Sequence, residues 1–251
     1  MGYIPETEEE RKFIEEYDSS RYEKPSVTAD VVIFTLSEDN TLSLLLIKRG
    51  AYPYKDRWAI PGGFIGINES VDGAATRELL EETSLRDIPI EQFGTFGAVD
   101  RDPRMRVISV AYMAFVPKKM LNFHAGDDAA EAQLFKIVPK IDGITFIGTD
   151  NIIHEKDLAF DHAEIIKTAI KRLRNRISYT DDAFKFLEDD QSFTIYELKK
   201  IFETVTGSAE DAGNFRRMFL TRYVKTGLVV ETGKNDSRNG RKSAALYRKL
   251  H

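Results

Sequence analysis

Three glutamates close together in one predicted helix are the residues of this chain best suited to chemistry. Glu78, Glu81 and Glu82 are spaced i, i+3 and i+4, so on a helix with about 3.6 residues per turn they share one face. Like charges at this spacing destabilise a helix by roughly 0.2 to 0.5 kcal/mol per pair. Hard carboxylate oxygens suit Mg²⁺ or Mn²⁺, which would offset that repulsion. The spacing therefore predicts either a divalent cation site or a solvated acidic helix face.

The residues before these glutamates predict the elements that position them. Pro61, Gly62 and Gly63 disfavour a helix interior, whereas residues 70–83 are rich in Ala, Leu and Glu, which favour one. We therefore predict a loop followed by a helix.

The segment GFIGINESVDGAATRELLEETSL, residues 63–85, resembles the Nudix signature of nucleoside-diphosphate-X hydrolases. It follows the pattern G-x5-E-x7-R-E-L-x-E-E-x-S-L, with x for any residue, and it departs from the family at one defined position, Ser84, where the family has glycine. That glycine would lie just past the helix end, where a left-handed backbone is common. A side chain there costs roughly 1 to 2 kcal/mol, so Ser84 is expected to affect local geometry rather than metal binding.

Carried over by position, the resemblance implies a set of metal ligands and one supporting ion pair. The implied ligands of Mg²⁺ or Mn²⁺ are Glu78 and Glu82, with Glu81 and the backbone carbonyl of Gly62, and the implied ion pair is Arg77 with Glu69. In such a site metal ions bridge the diphosphate and a metal-bound water attacks phosphorus. Carboxylates hold the ions and accept the proton.

Segments outside this signature bear on the substrate. KDRWAIPGGF, DRDPRMRVISVAY and AGDDAAEAQLF resemble the ADP-ribose pyrophosphatase branch of the family and its regulatory relatives. From ADP-ribose, the products implied are AMP and ribose 5-phosphate. A planar guanidinium suits bidentate contact with diphosphate oxygens, although surface arginines beside acidic partners are equally common. The candidates for substrate binding are Arg57, Arg101, Arg104 and Arg106, together with Phe64.

Other residues have an ordinary structural explanation beside a functional one. Trp58 could stack on adenine, but its place beside the glycine turn favours core packing. Asp127, Asp128 and Glu131 lie where relatives often supply a further ligand or a base, and a polar loop would look much the same. His162 is predicted to be a structural hydrogen-bonding residue at a helix start.

The composition indicates a globular protein of two domains. The chain has 251 residues, 42% of them hydrophobic, which suffices for one large domain or two small ones. No apolar run approaches the ~20 residues of a membrane helix, and the N-terminal PETEEERKFIEEYD does not resemble a secretory leader. The absence of cysteine excludes disulfides, thiolate catalysis and zinc–thiolate sites. We therefore expect no membrane partner and a cytoplasmic location.

The C-terminal part of the chain differs from the rest in charge. Residues 192–251 carry 12 Lys and Arg against 6 Asp and Glu, a balance of +6. The totals of 36 and 41 leave 24 against 35 for residues 1–191, a balance of −11. The net charge of −5 therefore conceals a basic C-terminal module.

The order of elements in this module is typical of a winged helix. SFTIYELKKIFETVTG predicts a short strand and a helix, and a second helix with a buried stripe of Phe215, Met218 and Phe219 follows over residues 211–225. GLVVETGKNDSRNGRKSAALYRKL predicts two strands around a basic loop. The apolar positions of the first helix are Leu198, Ile201, Phe202 and Val205.

A winged helix reads bases with its second helix and holds phosphates with its wing. An alternative interpretation is a helical extension used for dimerisation or as a lid, with its basic residues merely solvated. The candidates for binding double-stranded DNA are Asn214, Arg217, Thr221 and Lys225 on the helix, and Lys234, Arg238, Arg241 and Lys242 in the loop.

The predicted fold class is α/β. A hairpin is predicted by VTADVVIFTL and LSLLLIKRG on either side of SEDNT. Further strands are predicted at EQFGTFGAV, VISVAYMAFV and AQLFKIV. A long helix is predicted at DLAFDHAEIIKTAIKRLRNRI. The family resemblance implies a Nudix α/β/α sandwich with a mixed sheet, followed by the small winged-helix domain. The expected divisions are an N-terminal helical extension (1–24), the Nudix domain (25–160), a connecting helix (161–180) and the winged-helix domain (181–251).

NFRR, the basic loop and ALYRKL resemble the C-terminal domain of Nudix-related transcriptional regulators of NAD metabolism. YEKPSVTADVVIF and LAFDHAEIIKTAIKRLR extend this resemblance over nearly the whole chain. The retained glutamates favour a Mg²⁺-dependent hydrolase of an ADP-ribose-like nucleotide. The alternative is a DNA-binding regulator that uses the Nudix domain as a sensor of ADP-ribose or a phosphosugar, and the resemblance also implies a homodimer.

Overall fold

The computed structural model describes residues 3–121, 132–236 and 243–250. Within these ranges, none of the helices combines the length and the hydrophobicity that crossing a bilayer requires. Six of the candidate residues lie outside the described residues: Asp127, Asp128, Glu131, Arg238, Arg241 and Lys242.

A mixed sheet forms the centre of the N-terminal domain. Its strands are β1 (Ser26–Leu36), β2 (Leu42–Lys48), β3 (Trp58–Ala59), β4 (Gly62–Phe64), β5 (Ile90–Phe96), β6 (Val107–Phe115), β7 (Ala132–Lys140), β8 (Gly143–Ile147) and β9 (Ile152–His154). The strand order is β5-β6-β1-β2-β7-β8-β9, with β3 paired to β2 and β4 paired to β1. β1 runs parallel to β6 and antiparallel to β2, with Phe34 opposite Leu44. The predicted hairpin and mixed sheet are therefore confirmed.

Helices cover both faces of the sheet, because successive side chains of a strand point to opposite sides. α2 (Val71–Thr83) lies on one face, where its Leu79 packs with Val31 of β1. α3 (His162–Arg176) lies on the other face, in one core with Phe34. Each such buried side chain contributes roughly 1.5 to 3 kcal/mol to folding. This is the α/β/α sandwich expected from the sequence.

Two stretches differ from the sequence-based expectation. α3 begins at His162 rather than at Asp157, because residues 155–157 form a separate 3₁₀ turn and Phe160 has a left-handed backbone with φ of 50°. β8 and β9 were not predicted. They are short strands of five and three residues that extend the sheet edge beyond β7.

The segment that precedes the sheet contributes no buried helical residue. α1 (Glu8–Glu16) begins after Thr7, whose hydroxyl accepts a hydrogen bond from the Glu10 N–H at 3.2 Å. Phe13 and Ile14 on this helix are exposed.

The C-terminal domain has the predicted winged-helix order, except that the short strand predicted before its first helix is a single bridge between Phe193 and Tyr247. Its elements are α4 (Ile195–Thr206), α5 (Ala212–Phe219) with a π-helical turn at Leu220–Val224, β10 (Val229–Asp236) and β11 (Ala244–Lys249). α4 starts in a capping box between Thr194 and Glu197 and ends at Gly207, which has φ of 73°. β10 and β11 are antiparallel. The predicted apolar stripe of α4 is buried, which confirms its facing toward the core.

A buried ion-pair cluster joins the two domains. The side chain of Asp182 is 1% exposed and accepts hydrogen bonds from Arg176 Nε at 2.5 Å and Lys185 Nζ at 2.8 Å. Arg176 also pairs with Glu91 on β5. Burial opposes the charged form, but the bonds from Arg176, Lys185 and Thr180 hold the pKa of Asp182 below its usual range. Removing one partner of such a cluster typically costs about 3 to 5 kcal/mol, so the domain junction is firmly held.

Ser84 occupies the left-handed position expected of it. It caps α2 with φ of 58° and ψ of 12°, and its N–H donates to the Leu80 carbonyl at 2.9 Å. The helix therefore ends in the family geometry, with a strained residue in place of glycine.

Ser84→Gly is expected to raise the free energy of unfolding by about 0.5 to 1 kcal/mol. Glycine relieves strain of roughly 1 to 2 kcal/mol, although part of the gain is lost to the greater freedom of the unfolded chain. Urea unfolding of the full chain measures the change. Arg86→Gly is the control, since Arg86 is exposed and is not among the residues with positive φ. Equal stability of the two variants would contradict the prediction.

Candidate functional site

The predicted acidic face lies on α2, with its carboxylates at different depths. Ser70 caps the helix by accepting a hydrogen bond from the Gly73 N–H at 3.0 Å, which fixes where the helical register begins. Glu78 is 8% exposed, whereas the side chain of Glu81 is 56% exposed. Glu82 lies between these extremes. The face therefore runs from solvent into the domain.

Arg77 is bound by the glutamates on both sides of it. Its Nη2 and Nε donate to Glu69 at 2.8 and 3.2 Å, so the ion pair implied by the sequence is present. Its Nη1 donates to Glu78 at 2.7 Å and to Glu81 at 3.0 Å. Nη2 also donates to the Phe64 carbonyl at 3.1 Å. The Glu69 and Glu78 carboxylates raise the pKa of Arg77 further above its usual range, and the arginine fixes the loop against the helix.

The two glycines of β4 are required by the carboxylates that approach them. A Cβ on Gly63 would lie 2.1 Å from Glu78 Oε1, and a Cβ on Gly62 would lie 2.4 Å from Asp30 Oδ1. The Gly62 N–H donates to Glu82 Oε2 at 2.7 Å. Any side chain at either position would displace an acidic group, so the glycine turn and the acidic helix form one unit.

Burial disfavours the charged forms of the Glu78 and Glu82 carboxylates. Burial raises the pKa of Glu82 to about 8, with a further contribution from Glu78 and Asp30 and an opposing one from the Gly62 N–H. Burial also raises the pKa of Glu78, against the effect of Arg77. The site therefore favours any added positive charge.

The residues present fit a divalent cation in their chemistry. Glu78, Glu82 and Asp30 supply hard oxygen donors around the glycine turn. A bound cation would stabilise the charged forms of these neighbouring carboxylates. Among the described residues, no group of three or more acidic or histidine side chains lies at metal-binding spacing. Arg77 binds one oxygen of Glu78 and one of Glu81, so a metal ion would share these carboxylates with Arg77 or replace it.

A cavity of about 190 Å³ opens beside this turn. It is smaller than the roughly 300 to 1,000 Å³ of pockets that enclose a whole small-molecule ligand, so it has room for one end of a nucleotide. Its lining includes Asp30, Arg49, Phe64, Arg104, Phe160 and His162.

The substrate-binding candidates separate in the structure. Phe64 and Arg104 line the cavity, with the Arg104 guanidinium 5.4 Å from the ring centre of Phe64. Arg57 lies outside the lining and donates to the Lys156 carbonyl at 2.6 Å. Arg106 is exposed and likewise donates to a backbone carbonyl.

Arg101 lines the cavity, but its guanidinium is bound by Asp161. Its side chain is 4% exposed, and its Nε and Nη2 donate to the two carboxylate oxygens of Asp161 at 2.9 and 2.7 Å. Its Nη2 also lies 3.9 Å from Asp30. Arg101 therefore ties the start of α3 to β1, a role that the sequence did not predict.

Trp58 and His162 have the structural roles predicted for them. Trp58 is 5% exposed and packs edge-on against Phe135 with ring centres 4.8 Å apart. His162 is buried, and its Nδ1 accepts a hydrogen bond from the Ile60 N–H at 3.1 Å. Burial holds the pKa of His162 below its usual range, which favours the neutral ring.

Sequence reasoning missed several residues of this site. Asp30 is 6% exposed and accepts hydrogen bonds from Ser109 and Thr28. A lone acid within the apolar run TADVVIF was the available signal, because an unpaired charge is rarely buried in a strand. Arg49 and Phe160 carried no comparable signal, since the cavity is formed by chain segments far apart in sequence.

The predicted nucleic-acid face of α5 is exposed. Phe215 and Phe219 are buried and Met218 is partly buried, as predicted. The π-helical turn extends the element, with the Lys225 N–H donating to the Leu220 carbonyl at 2.9 Å. The polar positions on the outer side are all exposed: Asn214, Arg217, Thr221 and Lys225. Of the wing candidates, Lys234 lies within β10 and is exposed.

Comparison with known proteins agrees with both domains. A model of the NUDIX domain matches residues 25–139, and a model of the NrtR DNA-binding winged helix domain matches residues 183–249. The chain is 31% identical over 241 residues to the ADPR responsive transcriptional repressor NtrR of Acinetobacter baylyi, covering 95% of this chain and 88% of that one.

Two further proteins resemble it in part or in whole. The ADP-ribose pyrophosphatase of Methanocaldococcus jannaschii is 37% identical over 162 residues, which are 62% of this chain and 82% of that protein. The crystal structure of Shewanella oneidensis NrtR with a 27mer DNA matches with a TM-score of 0.68 and 26% identity, over 89% of this chain and 93% of that chain. The protein therefore belongs to the family of Nudix-domain proteins that carry an NrtR DNA-binding winged helix domain.

Proposed function

We propose that this protein is a DNA-binding transcriptional regulator whose Nudix domain binds ADP-ribose or a closely related nucleotide. The observation that carries the proposal is the exposed polar and basic face of α5, opposite its buried phenylalanines. This face is intact in a chain whose similarity to an ADP-ribose-responsive repressor extends over both domains. A lid or a dimerisation extension would not require it.

The winged helix supplies two kinds of contact to DNA. Arg217 and Asn214 can reach base edges with guanidinium and amide groups, which pair with guanine and adenine respectively. Lys225 and Lys234 can hold phosphates without regard to sequence. A two-fold homodimer would present two such helices to a palindromic site. A regulator of transcription acts where the DNA is, so we expect it in the cytoplasm.

The Nudix site supports a ligand that combines a diphosphate with a divalent cation. An acidic wall is formed by Asp30 in the lining of the cavity with Glu82 and Glu78 behind Gly62 and Gly63, and Arg49 and Arg104 also line the cavity. Mg²⁺ or Mn²⁺ held by the acidic wall would supply Lewis-acid activation of a phosphoryl oxygen. The arginines would orient the diphosphate, and a carboxylate of the acidic wall would accept the proton.

Hydrolysis is a second candidate function of the same site. The glutamates of α2 and the Arg77–Glu69 pair are retained in sequence and assembled around the glycine turn. The similarity to an archaeal ADP-ribose pyrophosphatase covers this part of the chain. A regulator that also hydrolyses its effector would reset itself.

We expect salt-dependent, sequence-specific retention of an operator fragment by the purified protein. ADP-ribose is expected to change this retention. Arg217→Gln should weaken operator binding by about 10-fold or more, because one base contact is worth roughly 1 to 3 kcal/mol. Gel retardation against a scrambled fragment of equal length measures the effect. Arg172→Gln, an exposed arginine of α3, is the matched control and should bind normally. Equally weak binding to all DNA fragments would contradict the proposal that the protein is a transcriptional regulator.

Release of AMP from ADP-ribose with Mg²⁺ or Mn²⁺ tests the second function. If the site hydrolyses, Glu82→Gln is expected to lower turnover by at least ~100-fold, the scale of a lost general base. Chromatography of the nucleotide products gives the rate. Glu15→Gln on the exposed α1 should leave turnover unchanged. A protein that binds ADP-ribose without turnover would be a sensor alone.

The raised pKa of Glu82 predicts how stability depends on pH without divalent cations. The folded state holds this proton to a pH of about 8, whereas an unfolded glutamate releases it near pH 4.3. The folded state therefore binds more protons between these values, and its stability falls as pH rises through this window. Glu82→Gln has no ionisable group at this position, and its amide oxygen can still accept the hydrogen bond from the Gly62 N–H.

In EDTA, Glu82→Gln should match the native protein near pH 5 and exceed it at pH 8.5 by on the order of 1 to 3 kcal/mol. Urea unfolding across this range measures the difference, and Glu15→Gln should follow the native curve throughout. A constant offset between native and variant at every pH would show that ionisation of Glu82 is not the cause.

A further inference from the structure

A second cavity lies between the two domains. Its volume is about 370 Å³, within the roughly 300 to 1,000 Å³ of pockets that enclose a small molecule. The Nudix domain contributes the turn between β1 and β2 and Lys118, and the other walls are residues 186–189 and α4. None of the described residues that line it also lines the cavity beside the glycine turn. We call this separate space the junction cavity.

Contacts between the domains hold the walls of the junction cavity in place. Thr204 Oγ1 on α4 donates to the carbonyl of Asn40, in the turn between β1 and β2, at 2.8 Å. Phe115 at the end of β6 packs against Phe186 with ring centres 5.3 Å apart. The cavity is therefore formed before any ligand binds, and a domain interface is a common place for a ligand pocket.

Part of the lining is apolar. Tyr196 is its exposed aromatic residue, with 55% of the residue accessible to solvent. Lys200 Nζ lies 5.6 Å from the Tyr196 ring centre, so the face of this ring already attracts a cation. Removing such surfaces from water favours a ligand with an apolar body. The buried apolar residues of the lining are Leu36, Phe186, Leu187, Phe193 and Ile201.

The charged residues of the lining are mostly acidic. Both of its lysines have a carboxylate partner, because Lys118 pairs with Glu38 and Lys200 pairs with Glu203. The lysines therefore add little free positive charge to the cavity. The acidic residues of the lining are Glu38, Glu188, Asp189 and Glu197, and its basic residues are Lys118 and Lys200.

Two of these acids are available to a ligand. Glu197 is already used by the capping box of α4. Asp189 accepts a hydrogen bond from the Gln191 N–H at 2.9 Å, but within the described part of the chain neither Asp189 nor Glu188 has a salt bridge. Both residues are exposed and adjacent in sequence. The junction cavity therefore combines an apolar lining with negative charge that the protein does not neutralise.

We propose that the junction cavity binds a small organic cation with an apolar, ring-shaped body. The body lies against Phe186, Ile201 and Tyr196, and a protonated amine pairs with the carboxylates of Glu188 and Asp189. An anion of the same shape meets like charge, and a neutral molecule gains the apolar contacts alone. The walls belong to both domains, so an occupant binds only while the domains are arranged as they are here, and its binding stabilises that arrangement.

Three indole compounds that differ in one group test the site in the full chain. Tryptamine carries an ammonium, tryptophol a hydroxyl and indole-3-acetate a carboxylate. Ligand-observed NMR titration gives the three dissociation constants. Tryptamine is expected to bind about 3- to 10-fold more tightly than tryptophol, the gain of two partly exposed charge contacts. Indole-3-acetate is expected to bind more weakly than tryptophol.

Two variants locate the charged and the apolar contacts. Glu188→Gln combined with Asp189→Asn removes both charges and keeps an oxygen that can accept from the Gln191 N–H. This double variant should lose the preference for tryptamine and should bind tryptophol within about 2-fold of the native protein. Tyr196→Ala should weaken tryptamine and tryptophol alike by about 3- to 10-fold, the scale of one aromatic contact.

A matched double variant controls for the change in net charge. Glu9→Gln combined with Glu15→Gln neutralises two exposed acids of α1 and should keep the native preference for tryptamine. Loss of the preference in this control too would show a general effect of net charge and would overturn the proposal. Thermal unfolding of each variant shows whether its fold is intact.

The other outcomes also decide the matter. Equal affinity of the native protein for tryptamine and tryptophol overturns the proposal, as does failure to bind any of the three indoles. A preference that survives in the Glu188 and Asp189 double variant places the cation elsewhere and overturns it. Loss of both ligands together with a lowered unfolding temperature in that variant means a structural role and overturns it as well. None of these outcomes bears on the nucleotide site of the Nudix domain.

Discussion

The close approach of carboxylates to Gly62 and Gly63 is the constraint on which the Nudix site depends. Glu78 lies where a Cβ of Gly63 would stand and Asp30 lies where a Cβ of Gly62 would stand, so helix α2 and strand β1 can meet only across a bare backbone. Placing acids this close in a buried setting raises the free energy of their charged forms. Arg77 offsets part of that cost by binding Glu78. The remainder makes the site receptive to a cation.

Sequence patterns predicted the parts of the structure that depend on neighbours along the chain. The spacing of the α2 glutamates and the buried stripe of α4 follow from local periodicity, and the left-handed turn at Ser84 follows from the resemblance to a signature that has glycine there. The strand predictions missed short strands such as β8 and β9. A run of three to five residues carries too little periodicity to distinguish a strand from a loop.

The cavity shows a different limit of sequence reasoning. Arginines were selected for their ability to bind phosphate, and Arg101 has that ability, but Asp161 uses it. Arg49 was passed over because nothing in LIKRG shows that it lines the cavity. Residue type gives the chemistry that a side chain can perform. Whether the side chain is available for it depends on contacts from distant segments.

Helix α3 runs from the cavity of the Nudix domain to the winged-helix domain. Its first turn contacts the cavity, where Asp161 binds Arg101 and His162 accepts from Ile60. Its last turn binds the winged-helix domain through Arg176 and the buried Asp182. Fifteen residues span about 22 Å at 1.5 Å per residue.

A rigid element of this kind can transmit a displacement between sites only if the ligand favours one of its positions over another. Arg101 lies between the two charges concerned, since its guanidinium is 2.7 Å from Asp161 on α3 and 3.9 Å from Asp30. A cation drawn to Asp30 would weaken the attraction of Asp30 for Arg101 and leave the arginine more strongly bound to α3.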